Sequence, residues 1–256
     1  MSVLEDFAKQ GVLALQEFTL LTFRAIRNIF RSPHYFADIL FQMDFIGFGS
    51  LPIVLLTGFF TGAVLALQTS KTLATFGESS LTGQVVSLSL VRELGPVLTS
   101  LMVAGRNSSG IASELGSMTV SEQVDAMRAL GTDPSKKLVT PRLIATVFML
   151  PLLTIVSDFI GLVGGFAVSV FLVHLNPSQY WSKAYHALDT EDLFQGLLKP
   201  FIFAFVVALV GCYYGLTTRG GTRGVGRSTT QAVVTASVLI LAIDFLITKF
   251  FVPVGG

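Results

Sequence analysis

Residues 45–68, FIGFGSLPIVLLTGFFTGAVLALQ, run without a single charged side chain. At about 1.5 Å of rise per residue such a run crosses about 30 Å of hydrocarbon, and only a helix satisfies its own backbone groups where water is absent. The rest of the 256-residue chain repeats the theme: 52% of residues are hydrophobic and 13% charged, against roughly a quarter charged in a soluble domain. Further apolar runs follow. Residues 85–104 carry only Arg92 and Glu93, and 143–173 carry only Asp158. The latter run is long enough to tilt, or to break at Pro151 and the cluster Gly161, Gly164, Gly165. Residues 200–217 are uncharged, and 232–252 contain Asp244 and Lys249. The chain is read as an all-α integral membrane protein with about five transmembrane helices.

Several function classes drop out. Seventeen Lys and Arg against 16 Asp and Glu leave a net charge of +1, too little basic excess to hold a nucleic-acid backbone. Cys212 is the one cysteine, and no Cys/His cluster has metal-site spacing, so no metal is expected. His34, His174 and His186 lie at or beyond the span ends, and neither HExxH nor GxSxG occurs, so catalysis is unsupported. Residues 219–227, RGGTRGVGR, lack phosphate-loop order and are read as a basic, flexible cytoplasmic turn. Glu5 and Asp6 stand where a cleaved export signal would be basic.

The chain divides at residue 44: an interfacial segment, 1–44, and a transmembrane body, 45–256. The first segment is too polar to cross yet rich in Phe7, Leu13, Leu15, Phe18, Leu21, Phe23, Ile26, Ile29 and Phe30. Its Arg24, Arg27 and Arg31 recur at helical spacing, which predicts an amphipathic helix in the membrane interface, or a soluble helix packed on another subunit. Segments 1–44, 105–142 and 216–231 hold twelve Lys and Arg, against Lys71, Lys183, Lys199 and Lys249 toward the other side. The excess of positive charge marks the cytoplasmic side, so the N-terminus is expected inside and the C-terminus outside.

Three features are candidates for function. Arg92 and Glu93 sit at mid-span, where each charge costs about 2.5–3.5 kcal/mol on insertion scales. They read either as the polar lining of a substrate path or as an ion-pair network that fixes packing; adjacent residues point about 100° apart on a helix, so at least one needs a partner elsewhere. Gly95-Pro96 follows and should open the helix there. Asp158 and Asp244 are read as packing or capping carboxylates. Within the connection 105–142, Thr119 and Glu122 have capping-box spacing, Val120, Val124, Met127 and Leu130 form a stripe, and Gly131 with Asp133-Pro134 stops the helix. That short cytoplasmic helix should dock on the bilayer, on the protein's own body or in a partner's groove. Its acidic face, Glu122 and Asp125, favours the groove over an anionic membrane. Finally, the pairs Gly58/Gly62, Gly161/Gly165 and Gly211/Gly215 have the spacing that lets membrane helices approach closely, within one chain or across a dimer.

The run SLSLVRELGP (87–96), Ala104-Gly105-Arg106, ASELG (112–116), Met118, EQVDA (122–126), LGTDP (130–134), Thr140-Pro141-Arg142 and GVGRSTTQAVVTAS (224–237) together resemble the MlaE/YrbE permease family, in collinear order over residues 45–250. The resemblance implies the permease subunit of an MCE-type ABC transporter that moves phospholipids between the inner and outer membranes of a bacterium. It implies a second copy of the chain, two cytoplasmic ABC ATPase subunits that bind ATP and Mg, a periplasmic MCE-domain ring protein, and room for a small cytoplasmic accessory subunit; this chain itself carries no cofactor. The C-terminus would then be periplasmic. Leu65, Gln68, Thr69, Thr72, Arg92, Glu93 and Leu94 would line a lipid cavity at the dimer interface, and Glu122, Val124, Asp125, Met127, Arg128 and Leu130 would form the ATPase coupling helix. An ion-coupled secondary carrier relaying through Arg92, Glu93, Asp158 and Asp244, or a structural membrane scaffold, stands as the alternative.

Overall fold

The computed structural model describes residues 2–31 and 35–251, with side chains described for 9 and from 11 onward within those ranges. Glu5, Asp6 and Phe7 (side chains), His34 and Val252 lie outside this description. Among the described residues there is no strand. The helices are α1 (Ser2–Ile29), α2 (Phe36–Ala74), α3 (Thr82–Ser89), α4 (Gly95–Val103), α5 (Ser109–Val120), α6 (Gln123–Ala129), α7 (Thr140–Phe171), α8 (Pro177–His186), α9 (Thr190–Leu216) and α10 (Gly221–Phe251). Five helical stretches are long and apolar enough to cross a membrane: 36–74, 79–120, 135–171, 190–216 and 221–251. Each apolar run of the sequence corresponds to one of them, and the last three runs were drawn one or two residues past the helix end.

The second stretch is one long helix with two π turns, Leu90–Leu94 and Ala104–Ser108. The first has a local cause. Pro96 has no N–H to give to the carbonyl four residues back, and its ring crowds that carbonyl, so the chain shifts register and the Gly95 N–H reaches Leu90 O instead. The expected opening at Gly95-Pro96 is thus a widened turn within a continuous helix. Likewise α7 passes through Pro151 and its glycines unbroken. Those glycines serve helix packing: a Cβ on Gly62 would collide with the Gly161 backbone, and one on Gly164 with the Phe59 carbonyl. Gly58 meets Ser157, while Gly165 meets the Tyr180 hydroxyl and Val86. Gly211 and Gly215 of α9 meet Ser108, Ile111, Ala112 and Leu115 on the second stretch. All three glycine pairs therefore close interfaces inside one chain, α2 to α7 and α5 to α9. Tyr180, buried in α8, donates its hydroxyl to Leu162 O (3.3 Å), and burial pushes its pKa above the ordinary tyrosine value.

Two boundaries move. The helix that crosses at 45–68 begins at Phe36, so the division at residue 44 falls inside α2. Residues 105–120 and 135–142, expected in a connection, belong to the ends of the second and third stretches. The turn read at 219–227 is shorter than expected: Gly220 and Gly221, with φ of +90° and +67°, make it, and α10 is already helical from Gly221.

Helix α1 has three sides. Phe18, Leu21, Ala25 and Ile29 pack into the bundle, with Phe18 edge-on to Tyr213 at 5.7 Å. Leu15, Phe23, Ile26 and Phe30 are exposed along one flank, and Arg24, Arg27 and Arg31 along the other. Helix α1 thus rests sideways on the bundle, with one apolar and one cationic flank left uncovered. The three Lys/Arg-rich segments gather at one end of the molecule: Asn28 of α1 donates to Asp133 Oδ2 (3.4 Å), and Thr119 Oγ1 of α5 donates to Gly215 O of α9 (3.2 Å).

Candidate functional site

Three of the charges set inside the spans, Arg92, Glu93 and Asp244, meet on α9. Arg92 Nε donates to Asp192 Oδ1 at 2.5 Å. Its neighbour Glu93 accepts from Lys199 Nζ, which also pairs with Asp244 Oδ1 (2.9 Å) and donates to Thr248 Oγ1 (2.9 Å). Thr248 Oγ1 in turn donates to Glu93 Oε1 (3.1 Å). Lys199 is fully buried, so its charge is carried between two carboxylates from different helices. Adjacent residues that were expected to diverge thus reach the same partner helix; Asp192 and Lys199, seven positions apart, lie on one face of α9 and receive them. Arg92 and Glu93 keep 44% and 36% of their side-chain surface exposed, so the pair is held from behind and remains accessible from the front.

Asp244, read as a packing carboxylate, is a member of this network. Asp158 stands apart from it, on α7 against Gly95, where a Cβ would strike its carboxyl group; its Oδ1 is buried with no hydrogen-bond partner. A four-membered relay through Arg92, Glu93, Asp158 and Asp244 has no continuous path here. Asp192 and Lys199 were missed because the fourth apolar run was started at Pro200. Their i, i+7 spacing ahead of that proline was the available signal.

On the α2 side, Leu65, Gln68 and Leu94 come together with Phe60, Thr61 and Val64 around an open groove of about 400 Å³. Thr69 is half-buried and Thr72 exposed farther along α2, and the Thr72 hydroxyl is spent on the Gln68 carbonyl (3.0 Å). The seven residues expected to line one cavity therefore divide. Three line the groove, two continue along its helix, and Arg92 with Glu93 pair toward α9.

The short helix expected at 119–130 is α6, Gln123–Ala129, and its start is built differently. Thr119 belongs to α5 and donates to Leu115 O (2.8 Å); Glu122 adopts φ +61°, a left-handed corner between α5 and α6, and makes no side-chain cap. The capping box does not form because α5 continues through Thr119. The stop is as expected: Gly131, φ +78°, donates its N–H to Arg128 O and Thr132 to Met127 O, the paired bonds of a Schellman end. Val124 is buried and Met127 packs beside it, against Ile111, Leu115, Leu138 and Leu143. Leu130 is 83% exposed. The stripe thus splits: its middle, Val124 and Met127, docks on the protein's own body, while Val120 is exposed and Leu130 faces outward, beside Asp125 and Arg128, which pair with each other at 2.7 Å.

Residues 39–250 match the family profile described as Permease MlaE. A "Probable ABC transporter permease protein" of Rickettsia felis is 46% identical over 237 residues, 93% of this chain and 92% of the relative. A similarly named protein of Synechocystis is 43% identical over 81% of this chain and 79% of its own length. The "Intermembrane phospholipid transport system permease protein MlaE" of Haemophilus influenzae is 35% identical over 84% of this chain and 82% of its own.

Proposed function

The chain belongs to the MlaE permease family, and from that premise we propose that it is the membrane-spanning subunit of an ATP-driven transporter that moves phospholipids between the inner and outer membranes of a bacterium. The observation that carries the reading is the collinear family match across α2 to α10, together with the phospholipid-transport name of the Haemophilus relative. The chain would act as a pair with a second copy, with ATPase subunits on the α1 side and an MCE-type partner on the opposite side. In this arrangement the N-terminus is cytoplasmic and the C-terminus periplasmic, in agreement with the distribution of Lys and Arg. ATP and Mg would be held by the ATPases, and this subunit would do no bond-making of its own.

The geometry supports a mechanical route. Leu130 and the outer face of α6 would seat on the ATPase, while Val124 holds α6 to the body. Two residues, Ser121 and Glu122, join α6 to α5, and α5 packs backbone-close on α9 through Gly211 and Gly215. A push on α6 would therefore pass into the helix that carries Leu94, Arg92 and Glu93. The groove at Phe60, Val64, Leu65 and Leu94 offers acyl chains an apolar wall, and the half-exposed Arg92 and Glu93 offer a headgroup polar contacts.

Purification from mild detergent tests the class. The reading expects an ATPase and an MCE-type protein to co-purify, and lipid movement that requires ATP. Movement that collapses with the ion gradient and ignores ATP would establish the secondary carrier instead; insensitivity to every charge removal would leave a scaffold.

A further inference from the structure

Arg106 is placed unlike Arg92, Arg142 and Lys199. Arg92, Arg142 and Lys199 each have carboxylate partners: Asp192, Glu114 (2.7 Å), and Glu93 with Asp244. Arg106 has no carboxylate partner among the described residues, although its guanidinium is held firmly. Nη1 donates to Phe45 O (2.9 Å), Ser50 Oγ (3.2 Å) and the Asn107 side-chain oxygen (3.4 Å). The group lies 4.9 Å from the centroid of the Phe45 ring and flat across Gly49, where any Cβ would collide with it. Nε and Nη2 make no hydrogen bond to the described residues and are not buried.

Depth decides what such a group would meet. Its partners Phe45 and Ser50 open the uncharged run of α2, directly after the exposed Asp44, at the end of the molecule where α1 carries its arginines. An uncharged run that begins there argues for a position near the boundary between lipid headgroups and acyl chains. Beside the guanidinium, Phe41, Phe45 and Phe48 of α2 are exposed apolar side chains. A pre-oriented fork with one edge unused, above a strip of exposed aromatic surface, has the shape of a receptor for a phosphate group with acyl chains attached, since arginine pairs bidentately with phosphate oxygens. A cation at this depth without a counter-charge is costly unless such a partner is supplied.

We infer that Arg106, braced by Phe45, Gly49 and Ser50, binds the phosphate of a phospholipid in the leaflet on the α1 side, at a site separate from the groove at Leu65 and Leu94. The inference rests on the permease reading for its lipid class, and its test is arranged so that the two can fail separately.

The assay is native mass spectrometry of the purified complex, titrated with short-chain phosphatidylglycerol, with diacylglycerol of the same chains, and with inorganic phosphate, for wild type, R106Q and R106K. Glutamine keeps an amide donor but removes the charge and the fork; lysine keeps the charge alone. Binding of phosphatidylglycerol should weaken about tenfold or more in R106Q and by a smaller factor in R106K, as loss of a charge-assisted bond implies, with diacylglycerol indifferent to all three. Co-purification of the ATPase should not change in R106Q. If inorganic phosphate competes as well as the lipid does, the site takes a free anion and the lipid assignment is overturned. If R106Q binds phosphatidylglycerol like wild type, or if cysteines placed at the exposed Gly105 cross-link two copies so that the fork is covered by protein, the site is wrong. Absence of an ATPase from every preparation would overturn the permease reading while leaving the lipid titration to stand on its own.

Discussion

Replacing Lys199 by Met tests whether the charges inside the spans form one unit. Lys199 is completely buried between Glu93 and Asp244, whose side chains keep 36% and 19% of their surface. Methionine fills much of the lysine volume, so packing changes little, but two carboxylates are left facing each other without a counter-charge. Removing one partner of a buried pair costs about 3–5 kcal/mol, and the partial exposure of Glu93 places the expected loss near the low end, about 3 kcal/mol. Replacing all three together, K199M with E93Q and D244N, removes the stranded charges, so most of the stability should return. The measurement is thermal unfolding in detergent, followed by tryptophan fluorescence and by size exclusion, with lipid movement assayed in parallel. The reasoning is refuted if K199M unfolds at the wild-type temperature, or if the triple variant is no more stable than the single one. A triple variant that folds but moves no lipid would assign the charges to the transport cycle; one that folds and transports would make them a packing device.

Other outcomes follow from the same geometry. L130D, at an exposed position, should leave the fold intact and abolish ATPase co-purification, whereas V124D buries an unpaired charge and should lower stability by several kcal/mol; equal effects would refute the division of the stripe. M127D should now report mainly on folding, because Met127 packs on the body. G62A forces the α2 and α7 backbones apart and should cost about 1–3 kcal/mol in the same unfolding assay, while G105A, with open space around it, should be silent there. In a background lacking Cys212, an impermeant thiol reagent applied from outside should label cysteines at Ser79 or Ser182 and miss those at Ser135 or Thr222; labelling at Ser135 would invert the orientation.

What was legible in the sequence depended on whether the signal was local. Each span announces itself, because about twenty apolar residues are needed wherever a helix crosses and lipid imposes that rule on every helix separately. The Schellman end at Gly131 was legible for the same reason: a left-handed residue after a helix calls for glycine whatever surrounds it. The start of α6 was not, since Thr119 and Glu122 have the spacing of a box but tertiary packing of α5 against Gly215 keeps the helix going past Thr119. Pair spacing likewise predicted that the glycines would meet helices but could not say whose, and the partners are α7 and α5 of the same chain.

The charged residues show how tertiary context assigns roles that composition leaves open. Arg92 interrupts an apolar run and Arg106, Arg142 and Lys199 border one, and nothing local tells which partner each will meet. Three are paired because a carboxylate arrives from another helix: Asp192 and the Glu93–Asp244 pair at one level, Glu114 at the other. Arg106 is met by a carbonyl, two side-chain oxygens and an aromatic ring, none of which cancels its charge. Neutral partners fix a guanidinium in direction while leaving its electrostatic demand in place. A helix that needed Arg106 only as a clamp between α5 and α2 would be served as well by glutamine, at far lower cost in the membrane. Fixed orientation with retained charge is the combination expected of a group that waits for a mobile anion, and lipid phosphates are the anions present at that depth.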